Sequence, residues 1–179
     1  MKAGNEGRED CMRGLKDLRV VDASSGVAGP YCSKLFVDAG AEVIKLEPAE
    51  GDALRRWSAT GADLGDRDGA LFRHLNASKR SVIGDLTEAL PGPGCRDEIR
   101  RLVEGADLVI DDSAPDALDR SSLLESVPGL VWLSITPFGL AGPWAQRAAT
   151  DFTLQAESGS IGARGRPGKE PYQAGGGLA

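Results

Sequence analysis

The chain has 179 residues, of which 41% are hydrophobic and 27% charged, with a formal net charge of −6. That length fits one domain with a sizeable core, and the composition is that of an ordinary globular protein. The acidic balance argues against nucleic-acid binding, which needs an excess of Lys and Arg, and no apolar run approaches the ~20 residues of a membrane span.

Residues 1–14 are polar and mixed in charge and read as a frayed tail, without the apolar stretch of a signal peptide. Residues 18–23 (LRVVDA) form the first short β-branched run. It leads into DASSGVAGP at 22–30, a strand end passing into a helix start. Small residues there let a ligand approach the backbone, and helix N-terminal N–H groups favour an anion; the alternative is a tight turn that serves only packing. Pro30 opens a predicted helix, Tyr31, Leu35 and Phe36 form its apolar stripe, and Gly40 supplies its stop. A second strand is predicted at 42–46 (EVIKL). Residues 51–75 are rich in Gly, Asp and Arg and read as an excursion from the sheet.

The third strand is predicted at 81–83, behind the basic pair Lys79 and Arg80, which reads most simply as solvated charge at a strand entrance. A helix follows at 96–104, with Ile99, Leu102 and Val103 at helical spacing and Gly105 at its end. The fourth strand is 107–110 (DLVI), and polar residues DDSAPDALDR follow at 111–120. Arg120 is a candidate phosphate clamp at this edge; the competing reading is a helix start at 117–126 with acids favoured by the helix dipole. The fifth strand is 130–135 (LVWLSI). Like the fourth it is nearly continuous in apolar residues, as expected of strands covered on both faces. Trp144 and Arg147 then precede a helix at 150–156. Thr150 or Asp151 stands near its N-cap, and Asp151 is also a candidate nucleophile or base. Residues 158–179 hold seven glycines in 22 positions and read as loop. A compact domain rarely ends so, which leads us to expect that the chain continues.

These elements predict an α/β fold, a Rossmann-like open parallel sheet with flanking helices. Such sheets bind ligands beyond the carboxyl ends of their strands. The three cysteines, Cys11, Cys32 and Cys95, fit free thiols in a reducing, cytoplasmic setting. With His74 the single histidine, neither a metal site nor a Ser/His/Asp grouping is expected.

Taken in order, AGAEVIKLEPAEGD, NASKRS and GPWAQRAATD resemble the class III (CaiB/BaiF-type) coenzyme A transferases over residues 15–179. This family includes formyl-CoA transferase and α-methylacyl-CoA racemase. The resemblance implies a CoA-binding lobe at 15–157, a Gly-rich segment at 158–179 leading to the remainder of the fold, and an interlocked homodimer. It implies coenzyme A and acyl-CoA as substrates, with a carboxylic acid as CoA acceptor and no covalently bound cofactor. It assigns CoA contacts to Ala28, Asp112, Ser113, Ala114, Arg120 and Arg147. Family chemistry is covalent catalysis by an aspartate, expected here immediately after Ala179, so the chain by itself is expected to be inactive. Three positions depart from the pattern: Val27 stands where a Gln is common, Pro48 where some members carry a phosphate-binding Arg, and Asp112 where Asn is common. Thr150 replaces the histidine of the racemase branch, which speaks against racemase chemistry. The alternatives are a non-catalytic CoA-binding or structural unit of a tandem or degenerate family member and, outside the family, a flavodoxin-like receiver built on Asp22 and Asp111/Asp112. The receiver also needs a Lys where this chain has Thr136.

Overall fold

The computed structural model describes residues 14–175. The expected tail with Cys11, and the last four residues of the Gly-rich run, lie outside the described residues. Five strands form one sheet: β1 (Arg19–Asp22), β2 (Glu42–Glu47), β3 (Arg80–Ile83), β4 (Leu108–Asp111) and β5 (Val131–Ser134). All pairings are parallel, in the order β3-β2-β1-β4-β5. The five runs anticipated from the sequence are these strands, each within two residues of its expected ends. Short β-branched segments separated by crossover-length connections leave few other arrangements.

Helix α1 (Ala28–Asp38) packs on one face of the sheet, against a core of Val20, Val43, Leu108 and Ile110. Helices α3 (Asp97–Glu104) and α4 (Arg120–Ser126) cover the other, around Val21, Val109, Ile99, Val103 and Leu123. The alternation of Val20 and Val21 between these cores is the two-residue period of a strand. Helix α2 (Ala70–Leu75) and α5 (Asp151–Glu157) complete the set.

Four local expectations are corrected. First, α1 starts at Ala28, two residues before Pro30, whose missing N–H falls within the first turn where no intrahelical acceptor exists anyway. Second, its buried face is set by Gly29, Pro30 and Ser33, with Phe36 packed beside them, while Tyr31 and Leu35 are more than half exposed. Third, α4 starts at Arg120, not 117, because Asp119 is its N-cap, accepting from the Ser122 N–H at 3.2 Å. Fourth, β5 is not covered on both faces. It is a sheet edge, with Val131 59% exposed, whereas β4 is wholly buried. The excursion at 51–75 contains α2, a helix too short for its periodicity to show in sequence.

The direction in which strands are added reverses about β1: β2 and β3 lie on one side of it, β4 and β5 on the other. In a doubly wound sheet the crevice at that reversal, between the carboxyl ends of β1 and β4, is where ligands bind.

Candidate functional site

The β1–α1 loop begins at Asp22, which is fully buried. Its carboxylate accepts from Ser33 Oγ at 2.5 Å, from the Ser24 hydroxyl, and from the Ser24 N–H at 3.2 Å. Burial would raise its pKa, but Lys45, Lys79 and the two hydroxyls outweigh that and hold it below the usual carboxylate value. Gly29 lies against Ser24 so closely that a Cβ would overlap the serine side chain. Ala28 is exposed at the first position of α1, where N–H groups lack intrahelical acceptors. Val27 packs against the Leu54, Phe72 and Leu75 cluster. The position for which the resemblance implies a Gln is used here for packing.

Lys79 is not solvated, as its position beside Arg80 had led us to expect. Its side chain is 1% exposed and pairs with Asp22 at 3.0 Å, whereas that of Arg80 is 66% exposed. The cause is tertiary: the turn before β3 delivers the ammonium beneath the β1–α1 loop. Lys45 on β2 is equally buried and pairs with Asp52 at 3.0 Å.

Beside this pair, Glu47 at the end of β2 is held by Arg55 at 2.7 and 2.8 Å, by Ser81 Oγ at 2.5 Å and by the Asp52 N–H at 3.1 Å. Arg55 also pairs with Asp68 at 2.9 Å and lies 4.0 Å from the Phe72 ring centroid, so one guanidinium fastens the 51–75 excursion to the sheet. Burial alone would raise the Glu47 pKa, but its donors lower it to about 2. A depressed carboxylate stabilises the fold above its unfolded pKa of about 4.3, and that stability is lost as pH falls towards the folded value. Urea unfolding from pH 6 down to 2.5 is therefore expected to show falling stability below about pH 4.5. In Glu47→Gln that fall is shallower and the pH 6 stability is already lower.

After β4 the two adjacent acids separate in role. Asp111 is fully buried, and its carboxylate accepts from Arg120 Nη2 at 2.7 Å, Ser134 Oγ at 2.7 Å, Trp132 Nε1 at 2.5 Å and the Ser113 N–H at 2.8 Å. Burial again opposes ionisation, and these donors, Arg120 foremost, hold its pKa below the ordinary value. Arg120 Nε also donates to Asp111 Oδ2 at 3.3 Å, and the other Arg120 contacts go to the carbonyls of Ser113, Ala114, Pro115 and Leu118. The guanidinium therefore shapes the 112–118 turn from within and is not an open phosphate clamp. Asp112 faces the crevice instead, and its Oδ2 accepts from both the N–H and the hydroxyl of Ser25 at 2.8 Å. This link joins the loops after β1 and β4 across the reversal point. Ser113 is half-buried and Ala114 exposed on the same turn.

A third segment closes on that turn: Gln146 Nε2 donates to Asp116 at 2.6 Å. Next to it, Arg147 pairs with Glu157 at 2.7 Å and lies 5.5 and 5.1 Å from the ring centroids of Phe138 and Trp144. Of the two cap candidates it is Thr150 that caps α5, accepting from the Thr153 N–H at 3.2 Å. Asp151 accepts from Gln155 Nε2 at 2.6 Å. Gln155 is 3% exposed, and its Oε1 accepts from Arg164 Nη1 at 2.8 Å and the Ala174 N–H at 2.9 Å. One amide thus ties the Gly-rich segment back onto α5.

The Ser25–Asp112 link therefore joins the loop that carries Ala28 to the turn that carries Asp112, Ser113 and Ala114, whereas Arg147 is held by Glu157 and only its neighbour Gln146 touches that turn. Arg120 supports the turn from behind, and Asp151 belongs to the α5 and Gly-rich layer. Sequence reading gave no role to Lys45 or Gln155 and took Lys79 for one of a solvated basic pair. A lysine within an apolar strand, EVIKL, was the one available signal.

Residues 15–179 match the family model described as CoA-transferase family III. A succinate–glutarate CoA-transferase of Agrobacterium fabrum is 36% identical over 170 residues, covering 90% of this chain and 42% of that protein. A benzylsuccinate CoA-transferase subunit of Thauera aromatica is 35% identical, covering 88% and 38% respectively. A CaiB/BaiF family protein from Brucella suis superposes with a TM-score of 0.80 at 36% identity, over 92% of this chain and 44% of that one. The chain spans less than half the length of each of these relatives. With a family match from residue 15 to the last residue and a shared fold at this level of identity, the chain belongs to CoA-transferase family III.

Proposed function

We propose that this chain is the CoA-holding lobe of an enzyme that moves CoA from an acyl-CoA thioester to a carboxylic acid. The observation that carries the reading is the joining of three segments at the sheet's carboxyl edge, through Ser25–Asp112 and Gln146–Asp116. That edge offers the exposed start of α1, with N–H groups suited to phosphate oxygens. It also offers the 112–114 turn and the Arg147 guanidinium to CoA. Arg120 contributes by fixing the turn. The interlocked homodimer implied by the family belongs to this same reading.

In this reading the reacting carboxylate follows residue 179. It attacks the thioester carbonyl and expels CoA as thiolate, leaving a mixed anhydride. The thiolate attacks the aspartyl carbonyl of that anhydride and releases the donor acid, giving an aspartyl-CoA thioester. The acceptor carboxylate then takes the aspartyl acyl group as a new anhydride, and the freed thiolate closes on the acceptor's carbonyl to restore the aspartate. A non-catalytic CoA-binding unit is the second reading, favoured by Val27, which is given to packing and cannot hydrogen-bond.

Calorimetric titration of the 179-residue chain with CoA tests the proposal. Weak binding that falls with added salt is expected, and no binding at millimolar CoA would reject it. Asp112→Asn keeps an acceptor for Ser25 and removes a negative charge facing the phosphates. It is expected to tighten binding by about three- to tenfold. Thioester exchange is expected to be absent from this chain and present once it is extended beyond residue 179. Absence from both favours the second reading.

A further inference from the structure

Two buried ammonium groups lie beneath the β1–α1 connection, Lys45 holding the loop itself and Lys79 the first turn of the helix that follows. Lys45 Nζ donates to the Ser24 carbonyl at 2.7 Å, and Lys79 Nζ donates to the Pro30 carbonyl at 2.9 Å. Lys79 also reaches Asp22 at 3.0 Å, Ser33 Oγ at 2.6 Å and Asn76 Oδ1 at 2.9 Å. It thereby joins β1, α1 and the turn before β3. The two lysine side chains are 2% and 1% exposed.

Buried ion pairs are poor stabilisers, because well-packed apolar side chains of the same volume do as well or better. What an ammonium supplies and a methionine cannot is direction, since it binds particular oxygens. Here the oxygens are the Ser24 carbonyl in the β1–α1 loop and the Pro30 carbonyl in the first turn of α1. Drawn inward, the Ser24 carbonyl takes its negative end away from the loop's outer surface, where Ser25 and Ala28 are exposed, while Lys79 fixes the first turn of α1 beside it. The Ser25 N–H and hydroxyl are held by Asp112, so an anion approaching that surface meets the Ala28 N–H at the start of α1.

We infer that Lys45 and Lys79 are positioning residues for ligand binding, which hold the β1–α1 loop in the conformation that accepts the CoA phosphates. The inference rests on the CoA reading above for the identity of the ligand.

The test uses Lys79→Met, Lys79→Arg and the charge-neutral double variant D22N/K79M. Hydrogen exchange is followed by mass spectrometry on peptides covering the loop and β4, alongside CoA titration. In K79M and in the double variant, loop amides are expected to exchange at least about tenfold faster while β4 is unchanged. CoA affinity is expected to fall by a similar factor, and K79R to recover part of both. A folded K79M or double variant with loop exchange within twofold of the parent chain would overturn the inference. So would unfolding of both variants, which would make the pair a stability element. If the parent chain does not bind CoA, the ligand assignment fails, and the exchange data still decide whether the lysines position the loop.

Discussion

Replacing Gly29 by alanine is expected to destabilise the fold by about 2 kcal/mol, the usual cost of an overpacked contact. For a chain of this size that lowers Tm by roughly 4–8 °C. The new Cβ would overlap both the Cβ and the Oγ of Ser24. Rotation of the serine cannot relieve this, because Cβ is fixed to the backbone and Ser24 is 3% exposed. The backbone must move, and the Ser24 hydroxyl leaves Asp22. Gly26→Ala separates this cause from simple backbone strain. Gly26 has φ +66° with open space around it, so only the left-handed conformation is penalised, by about 1 kcal/mol. In the double variant S24G/G29A the overlap disappears, and thermal unfolding should show the two changes to be non-additive. Additive effects would mean that the contact with Ser24 is not the cause.

Arg120→Met is expected to cost more, about 3–5 kcal/mol, because it strands a fully buried carboxylate. Asp111 would keep Ser134, Trp132 and the Ser113 N–H but lose its counter-charge. Arg120→Lys is expected to recover only part, since one ammonium cannot reach Asp111 and four carbonyls together. The double variant D111N/R120M should recover most of the loss, because the uncompensated charge is gone. The pH dependence has a definite sign. Asp111 is depressed in the folded chain, so its stabilisation is present above the unfolded value of about 3.9 and fades below it. The stability gap between the parent chain and R120M should therefore narrow as pH falls through that range. Urea denaturation at pH 7 and pH 3.5 measures it, and a gap that widens in acid would refute the ion-pair account.

Both predictions concern residues whose type was visible in the sequence and whose use was not. DASSGVAGP announced a small-residue turn, yet not that Gly29 is required by Ser24 rather than by the helix start. Arg120 stood out as a cation at the ligand edge. That Asp111, nine residues earlier, would take it depended on β5, because Trp132 and Ser134, two apart on one face of that strand, close the pocket around Asp111. Asp112, its neighbour, points the other way for the same reason: alternate residues at a strand end face opposite sides.

Lys79 is the sharpest case. Beside Arg80 it has the local pattern of two solvated bases. Only the arrival of β1 and α1 from residues 19–38 makes its site buried and acidic. Gln155 likewise carries no local sign of its role, since its partners Arg164 and Ala174 lie in a glycine-rich stretch without periodicity.

The sequence by itself determined the five strands, their order along the chain, the α/β class and the family. These follow from short-range periodicity and from motifs in fixed order, which do not depend on what stands opposite. The tertiary structure decided which face α1 buries, that β5 is an edge, and which charges are exposed. It also decided how the loops after β1 and β4 are joined. Burial and hydrogen-bond partners are properties of pairs far apart in sequence, settled only when the sheet sets Asp22, Lys45 and Lys79 side by side.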